Sequence, residues 1–213
     1  DRSANAKRES ARTGAQAGKE RLLCLEAASG KILWEKSYPC AYTMSYPAGP
    51  RVTPLVEGER VYTLGAEGLL VCRATKDGRE LWQHDFKERF QARTQTWGFA
   101  ASPLIHGNLL ICLASGDGTT AVAFHKETGK EVWRALSAKQ PGYCPPRVIQ
   151  HAGRDILIIW HPESVNALDP STGKLFWTIP WKIRFGLTIP MPQMIDEKHL
   201  FLSSFYNGSL LLR

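Results

Sequence analysis

The stretch that decides the fold is Ala167-Leu-Asp-Pro-Ser-Thr-Gly-Lys-Leu-Phe-Trp177. Three earlier stretches align with it without gaps and end in the same Gly-Lys/Arg-x-apolar-Trp pattern. They run from Cys24 to Trp34, from Cys72 to Trp82 and from Ala123 to Trp133, so that the tryptophans are spaced by 48, 51 and 44 residues. A self-similar unit of this length is typical of solenoids, propellers and other repeat arrays.

Each of the four stretches begins with a small residue and contains one glycine four residues before its tryptophan. The glycines are Gly30, Gly78, Gly129 and Gly173, and a polar turn-forming residue precedes each of them. The polar residue and the glycine that follows it predict a tight turn, because glycine accepts positive φ without steric cost. A tryptophan on the outer strand of one unit can lie flat over the turn of the next unit. We therefore interpret the pattern as a device that packs each unit against its neighbour.

A second marker, a proline that opens an apolar stretch, recurs in phase with the first. The prolines are Pro54, Pro103, Pro146 and Pro192, with spacings of 49, 43 and 46 residues. Proline is tolerated at the first residue of a strand, where no ladder hydrogen bond is lost. The marker therefore predicts the start of the first strand in each unit.

Between the two markers, turn residues separate four short strand-like runs. In the clearest unit these runs are Pro54–Val56, Arg60–Leu64, Leu69–Arg73 and Glu80–His84. Four short strands in about 47 residues are the period of a propeller blade, and the 3.6-residue periodicity of a helical solenoid is absent. The sequence predicts an all-β fold, a β-propeller of four-stranded antiparallel blades.

The predicted propeller covers residues 21–213 as about three complete blades and two partial ones, with blade ends near residues 38, 86, 137 and 181. Residues 1–20 are rich in Ala, Gly, Arg and Ser and show no strand pattern. We predict a disordered or non-native tail there.

The best of the four stretches resembles the tryptophan-docking motif of the PQQ-like (pyrroloquinoline-quinone-type) propeller repeat. Its matching positions are Ala167, Asp169, Thr172, Gly173 and Trp177; the third stretch matches at Ala123, Thr128, Gly129 and Trp133, with His125 in place of the usual Asp. The stretches carrying Gly30 with Trp34 and Gly78 with Trp82 diverge further. The resemblance implies a quinoprotein-type propeller of seven or eight blades, of which this chain would form about half.

The same family includes quinoprotein alcohol dehydrogenases, an outer-membrane assembly lipoprotein and cofactor-free exported proteins, and Thr96–Leu104 resembles the exported bacterial branch. That branch implies a periplasmic or exported location, although the N-terminus has no signal-peptide layout. It also implies a non-catalytic binding or scaffolding module of the bacterial cell envelope. A fragment of a PQQ-dependent dehydrogenase and a sensor domain of a larger receptor or kinase are the alternatives.

No catalytic residue, cofactor-binding residue or metal ligand is assigned from the sequence. The dehydrogenases hold PQQ with a vicinal disulfide and a calcium ion, whereas this chain has no Cys-Cys pair and no acidic cluster with calcium-loop spacing. We therefore expect no cofactor, with PQQ and calcium as the alternative. The sequence leaves open whether Cys40 and Cys144, both in predicted loops, form a disulfide.

The loops that connect one predicted blade to the next are long and aromatic. Aromatic residues combined with arginine are typical of binding hot spots. The candidate binding face comprises Arg93, Trp97, Tyr143, Trp181 and Arg184. The alternative is that these aromatic side chains pack between blades. The expected partner is a protein or a polysaccharide.

The formal net charge of +7 does not by itself indicate nucleic-acid binding. The sequence shows no dense basic stripe with interleaved aromatic residues, which such a surface requires. It also has no apolar run of the roughly 18 residues that a membrane-spanning helix needs. Nucleic acid and a transmembrane segment are therefore not expected.

Overall fold

The structure is a computed structural model that describes residues 14–45 and 48–213. Within these residues seventeen strands form five antiparallel sheets, here named blades 1 to 5 in chain order. Blade 1 contains β1 (Gln16–Leu25) and β2 (Ile32–Tyr42); blade 2 contains β3 (Leu55–Glu57), β4 (Arg60–Leu64), β5 (Leu69–Ala74) and β6 (Glu80–Asp85). Blade 3 contains β7 (Leu104–His106), β8 (Leu109–Leu113), β9 (Ala121–His125) and β10 (Glu131–Ala135).

Blade 4 contains β11 (Arg147–His151), β12 (Arg154–His161), β13 (Ser164–Leu168) and β14 (Leu175–Pro180); blade 5 contains β15 (Gln193–Met194), β16 (Leu200–Ser204) and β17 (Gly208–Leu212). A short helix, α1 (Phe86–Phe90), follows blade 2, and a 3-10 turn covers Arg184–Gly186. In every blade the strands pair in chain order. The predicted all-β fold of four-stranded blades is confirmed, with three complete and two partial sheets.

The predicted strands of blade 2 agree with the observed ones to within one residue, and β4 matches at both ends. The predicted tail is wrong for residues 16–20, because β1 begins at Gln16; residues 1–13 lie outside the described residues. Long-range contacts order this segment. The ring of Tyr42 lies where a side chain at Gly18 would be, and buried Glu20 accepts a hydrogen bond from the Ala66 amide (3.0 Å).

The small residue that begins each repeated stretch pairs directly with the tryptophan that ends it. The pairs are Cys24 with Trp34, Cys72 with Trp82, Ala123 with Trp133 and Ala167 with Trp177. A register shift adjoins each pair. The repeat in sequence is therefore a repeat in backbone geometry.

Three apolar clusters lie between consecutive blades, as face-to-face packing of sheets requires. Leu70 and Cys72 of blade 2 pack with Leu110 and Phe124 of blade 3. The second cluster joins blades 3 and 4, and the third joins blades 4 and 5. Blades 2 to 5 thus bury apolar faces against one another.

At three junctions the tryptophan of one blade lies against the glycine turn of the next. A Cβ placed on Gly78, Gly129 or Gly173 would be 2.6–2.7 Å from the nearest ring atom of Trp34, Trp82 or Trp133, respectively. Each indole N–H donates to a carbonyl of the same turn: Trp34 to Thr75 (2.8 Å), Trp82 to Lys126 (3.2 Å) and Trp133 to Pro170 (3.0 Å).

The two ends of this series are uncovered. Among the described residues, no atom lies within 4 Å of the Gly30 Cβ position, and Trp177 is 38% exposed. Within the described residues, the Gly30 turn is thus not covered by a tryptophan, and Trp177 is not packed on a glycine turn.

Candidate binding face

The loops that enter blades 2 to 5 lie on the same face as the turns between the second and third strands. In three blades a side chain of that turn accepts a hydrogen bond from the backbone of the entering loop. The acceptors are Glu67, Glu163 and Asn207, and the donors are the N–H groups of Thr43 (2.5 Å), Lys139 (3.1 Å) and Arg184 (2.9 Å). Each of these turns therefore holds its own entering loop in place.

The entering loops are also bonded to one another. The Ser45 N–H donates to the Thr96 carbonyl (3.1 Å), and the Tyr143 N–H donates to the Thr188 carbonyl (3.1 Å). Between these links, the buried amide of Gln95 both accepts from the Gly142 N–H (3.1 Å) and donates to the Gly142 carbonyl (3.0 Å). We call these cross-linked loops the loop belt.

Glu67 is the most heavily bonded side chain of this face. Its carboxylate accepts hydrogen bonds from Thr43 and Thr94 and forms an ion pair with Lys87. Burial alone raises the pKa of Glu67, but the bonds from Lys87, Thr94 and Thr43 outweigh it and hold the pKa below its ordinary value. The charged carboxylate therefore stabilises the folded loops.

Two adjoining cavities of about 560 and 430 Å³ open on this face. Arg93 lines the first and Trp97 lines the second, while Lys139 and Glu163 line both. We call the combined depression the rim groove. The structure thus brings two of the five predicted site residues, Arg93 and Trp97, to one site.

Two other predicted site residues are packed into the structure. Tyr143 is 7% exposed and its ring lies 5.6 Å from that of Trp97, and burial raises the pKa of its hydroxyl. Trp181 stacks on Trp160, with centroids 5.2 Å apart and an interplanar angle of 3°. For Tyr143 and Trp181 the structure favours the packing alternative.

The fifth residue, Arg184, belongs to an exposed aromatic cluster. Its guanidinium lies 4.8 Å from the ring centroid of Phe185 and 5.5 Å from that of Tyr206. Phe205 packs on Tyr206 at 4.7 Å and is itself 81% exposed. We call these four residues the aromatic cluster. Sequence reasoning missed Phe205 and Tyr206, although two consecutive aromatic residues in a turn before Asn-Gly are a detectable signal.

No group of three His, Cys, Asp or Glu side chains in residues 14–45 and 48–213 is arranged to hold a metal ion. Asp117, in the turn between β8 and β9, accepts a hydrogen bond from Ser137 (2.6 Å).

All five cysteines are free thiols. Cys40 lies in β2, so its predicted placement in a loop is wrong, and Cys144 is buried with its Sγ 3.4 Å from the Pro190 carbonyl. Across the part of the chain that the structure describes, no helix has the length and apolarity to cross a membrane.

A search of curated protein sequences finds no significant match. Among solved structures the chain is similar to the computationally designed protein Ika8 (13% identity, TM-score 0.59, covering 88% of this chain and 51% of that one). It is also similar to BamB from Moraxella catarrhalis (16%, 0.54, 86% and 53%) and to the computationally designed protein Ika4 (12%, 0.50, 78% and 91%). The chain spans about half the length of Ika8 and of BamB, and these likenesses concern the fold.

A family model described as outer membrane protein assembly factor BamB matches residues 18–208. This match contains all four Gly-to-Trp stretches and all strands of blades 2, 3 and 4. The chain therefore belongs to the BamB-like family of PQQ-like β-propeller repeats.

Proposed function

We propose that this chain is a non-catalytic, protein-binding scaffold module of the bacterial cell envelope, and that it binds through the face formed by the loop belt, the rim groove and the aromatic cluster. The observation that carries the proposal is the exposed cluster of Arg184, Phe185, Phe205 and Tyr206 on loops that are hydrogen-bonded to one another.

Such a cluster suits binding for two physical reasons. Exposed aromatic rings next to arginine supply a large contact area with few rotatable bonds, which is the composition of binding hot spots. The loops below them are already ordered, since Asn207 accepts from the Arg184 N–H and donates to the Lys182 carbonyl (3.3 Å). A preorganised surface loses less conformational entropy when a partner binds.

The rim groove adds polar selectivity beside the aromatic cluster. Three cations, Arg93, Lys139 and Lys182, line it together with two carboxylates, Asp117 and Glu163. The three cations fit acidic side chains of a polypeptide partner, and the apolar lining residues Trp97, Ile183 and Phe185 fit its apolar side chains.

The family supports the same class of function. A family described as an outer membrane protein assembly factor implies protein partners at the periplasmic side of the outer membrane. We propose that location for this chain and a protein as its partner. The Trp–Gly contacts at the blade junctions then serve as the docking device that fixes the relative positions of the loops.

We also propose that the module works without a cofactor. Titration with PQQ and calcium tests this directly, with quinone absorbance and dye-linked alcohol oxidation as readouts. We expect no stoichiometric uptake and no oxidation. Uptake of one PQQ per chain would instead support the quinoprotein alternative.

Site-specific photocrosslinking tests the binding face. A benzophenone amino acid replaces Phe185 or Phe205, and replaces the exposed Phe176 of β14 as the matched control. With envelope proteins of a Gram-negative bacterium, we expect discrete adducts from the first two positions and not from position 176. Arg184→Ala should weaken the Phe205 adduct. Mass spectrometry distinguishes peptide from polysaccharide adducts, and equal labelling at all three positions would contradict the proposal.

A further inference from the structure

His161 is a buried histidine at the end of β12, where the chain turns back into β13, and both of its ring nitrogens are hydrogen-bonded. The residue is 3% exposed. The Glu163 N–H donates to Nδ1 (3.3 Å), and Nε2 lies 3.1 Å from the Ser164 hydroxyl oxygen. We propose that His161 is a pH-sensitive switch of the rim groove: the neutral ring keeps the surrounding loops ordered, and protonation of the ring releases them. This inference rests on the proposed binding face, of which the rim groove is a part.

The hydrogen bonds around the ring define a single protonation state. A backbone N–H can only donate, so Nδ1 carries a lone pair and the proton of the neutral ring is on Nε2. Nε2 donates to the Ser164 hydroxyl, which in turn donates to Oδ1 of Asn166 (3.1 Å). The Asn166 amide also accepts from the Thr178 hydroxyl (2.6 Å) and donates to the Ile159 carbonyl (3.2 Å). The buried network therefore accommodates the neutral ring.

A second proton on the His161 ring finds no acceptor. It binds Nδ1, and Nδ1 faces the Glu163 N–H, so two hydrogens would point at each other where one hydrogen bond had been. Because the ring is buried, water does not solvate the new charge in place. Protonation therefore requires that the ring or the turn beside it moves.

The charged groups around His161 act on the ring in opposite directions. The carboxylate of Glu163 favours the protonated ring, but burial disfavours it more strongly and holds the pKa of His161 below its ordinary value of 6.5. Lys139 and Lys182, in the two loops that pack on the turn, line the rim groove together with Glu163, and their positive charges also disfavour a charged ring. The neighbouring strands β13 and β14 contain no acidic or basic side chain.

The turn between β12 and β13 holds the loops on both sides of the rim groove. The Glu163 carboxylate accepts from the Lys139 N–H (3.1 Å) in the loop that enters blade 4. In the loop that enters blade 5, the Trp181 N–H donates to the Glu163 carbonyl (3.0 Å). The Ile183 N–H of the same loop donates to the Pro162 carbonyl (2.7 Å). Movement of this turn therefore releases both loops and changes the shape of the groove.

The expected pH dependence follows from the two states of the turn. Once the turn is released, the ring has its ordinary pKa of 6.5. The contribution of the neutral ring to loop order is therefore fully present above pH 6.5 and is lost as the pH falls from 6.5 through the folded-state pKa. Each pH unit in this interval should increase local opening by up to about tenfold. Measurements above pH 4.5 do not report on Glu67, whose folded-state pKa lies below that value.

Amide hydrogen exchange of the full chain, followed by NMR at about pH 7.5 and about pH 5, tests the switch without any partner. After correction for intrinsic exchange rates, the protection of the Lys139, Trp181 and Ile183 amides should fall by about tenfold or more at the lower pH. His161→Gln retains a hydrogen-bond acceptor and a donor but does not titrate. In this variant the protection of the three amides should not depend on pH, and the same fall as in the parent would overturn the proposal.

His125→Gln is the matched control, because the Glu127 N–H donates to Nδ1 of His125 (3.3 Å) in a turn that holds no entering loop. This variant should lose protection at the lower pH as the parent does. The imidazole signals of His161 in the parent give a second test, which does not depend on the folding of a variant. We expect the proton on Nε2 at about pH 7.5 and a titration below pH 6.5. A proton on Nδ1, or loop amides that are equally protected at both pH values, would overturn the proposal.

Photocrosslinking separates the failure of the switch from the failure of the proposed function. The adduct from position 185, which lines the rim groove, should weaken at about pH 5 in the parent and persist in His161→Gln. An adduct that persists in the parent at the lower pH would overturn the switch. If position 185 forms no adduct at either pH, the proposed binding face is contradicted, and the exchange of the loop amides still decides whether His161 controls their order.

Discussion

Single residues hold the blade junctions in this protein, and glycine is required at them for two separate reasons. Gly173 has φ +71°, and its Cα faces the ring of Trp133. An L-residue at this φ costs about 1–2 kcal/mol of backbone strain. A side chain would in addition push against a ring that is fixed on its other side by the core.

Gly173→Ala should therefore destabilise the fold more than Gly153→Ala, which has nearly the same φ but no atom within 4 Å. Both variants carry the strain of a positive φ, and the first adds about 1–3 kcal/mol of overpacking against Trp133. Urea denaturation gives the two free energies of unfolding. Equal losses in the two variants would mean that the Trp–Gly contact does not limit packing.

A second prediction for a single residue concerns Glu67 and the pH dependence of the free energy of unfolding. The folded-state pKa of Glu67 lies below its ordinary value of 4.5. The charged carboxylate therefore stabilises the fold above pH 4.5, and this contribution is lost as the pH falls through the folded-state pKa. Glu67→Gln should cost about 1–3 kcal/mol near neutral pH, because Lys87 and Thr94 lose a charged acceptor.

The difference between the parent and Glu67→Gln should shrink when unfolding is measured below about pH 4. Glu59→Gln, at an exposed glutamate of the same blade, is the matched control. A difference that stays constant from neutral to acidic pH would contradict the assignment of the charged carboxylate.

At the scale of elements, the loop belt joins the blades on one face independently of the junction tryptophans. Gln95 carries the link between the loops before blades 3 and 4, and it is 4% exposed. Gln95→Ala leaves the N–H and the carbonyl of Gly142 without these partners. We expect a loss of about 1–3 kcal/mol and faster amide exchange around Gly142.

Gln83→Ala, at an exposed glutamine of β6, is the control for Gln95→Ala. It should change the free energy of unfolding by no more than about 0.5 kcal/mol. If Gln95→Ala and Gln83→Ala change the free energy of unfolding equally, the hydrogen bonds of Gln95 do not stabilise the loop belt.

The strands also show how much of the fold can be predicted from the sequence. β4 was predicted at both ends, because Arg60–Leu64 is a short run rich in β-branched and aromatic residues that is bounded by turn residues. The start of β1 was not predicted, because Gly18 and Glu20 are ordered by Tyr42 and Ala66, which lie far along the chain. Local sequence patterns predict strands and turns, whereas contacts between residues that are distant in the sequence determine where β1 begins.

The same limit applies to the candidate binding face. Arg93 and Arg184 are exposed and Trp97 is half-buried, and a role of these residues in binding stays a prediction. The burial of Tyr143 depends on Trp97, which is 46 residues away and in another loop. The exposure of Phe205 depends on the path of a turn that its sequence alone does not define.

At the scale of the whole molecule, the three blade junctions are one contact that is repeated three times. The indole N–H groups of Trp34, Trp82 and Trp133 donate to carbonyls in the next blade, whereas Trp177 is 38% exposed. The junction contacts therefore fix the relative positions of the blades and of the loops that they carry.

Hydrogen exchange of the tryptophan indole N–H groups, followed by NMR, tests whether the junction contacts hold the tryptophans. Single Trp→Phe variants assign the seven indole signals. We predict that Trp82 and Trp133 exchange at least about tenfold more slowly than Trp177, since their N–H groups must break a bond within the protein before they exchange. Equal exchange rates for Trp82, Trp133 and Trp177 would contradict the account.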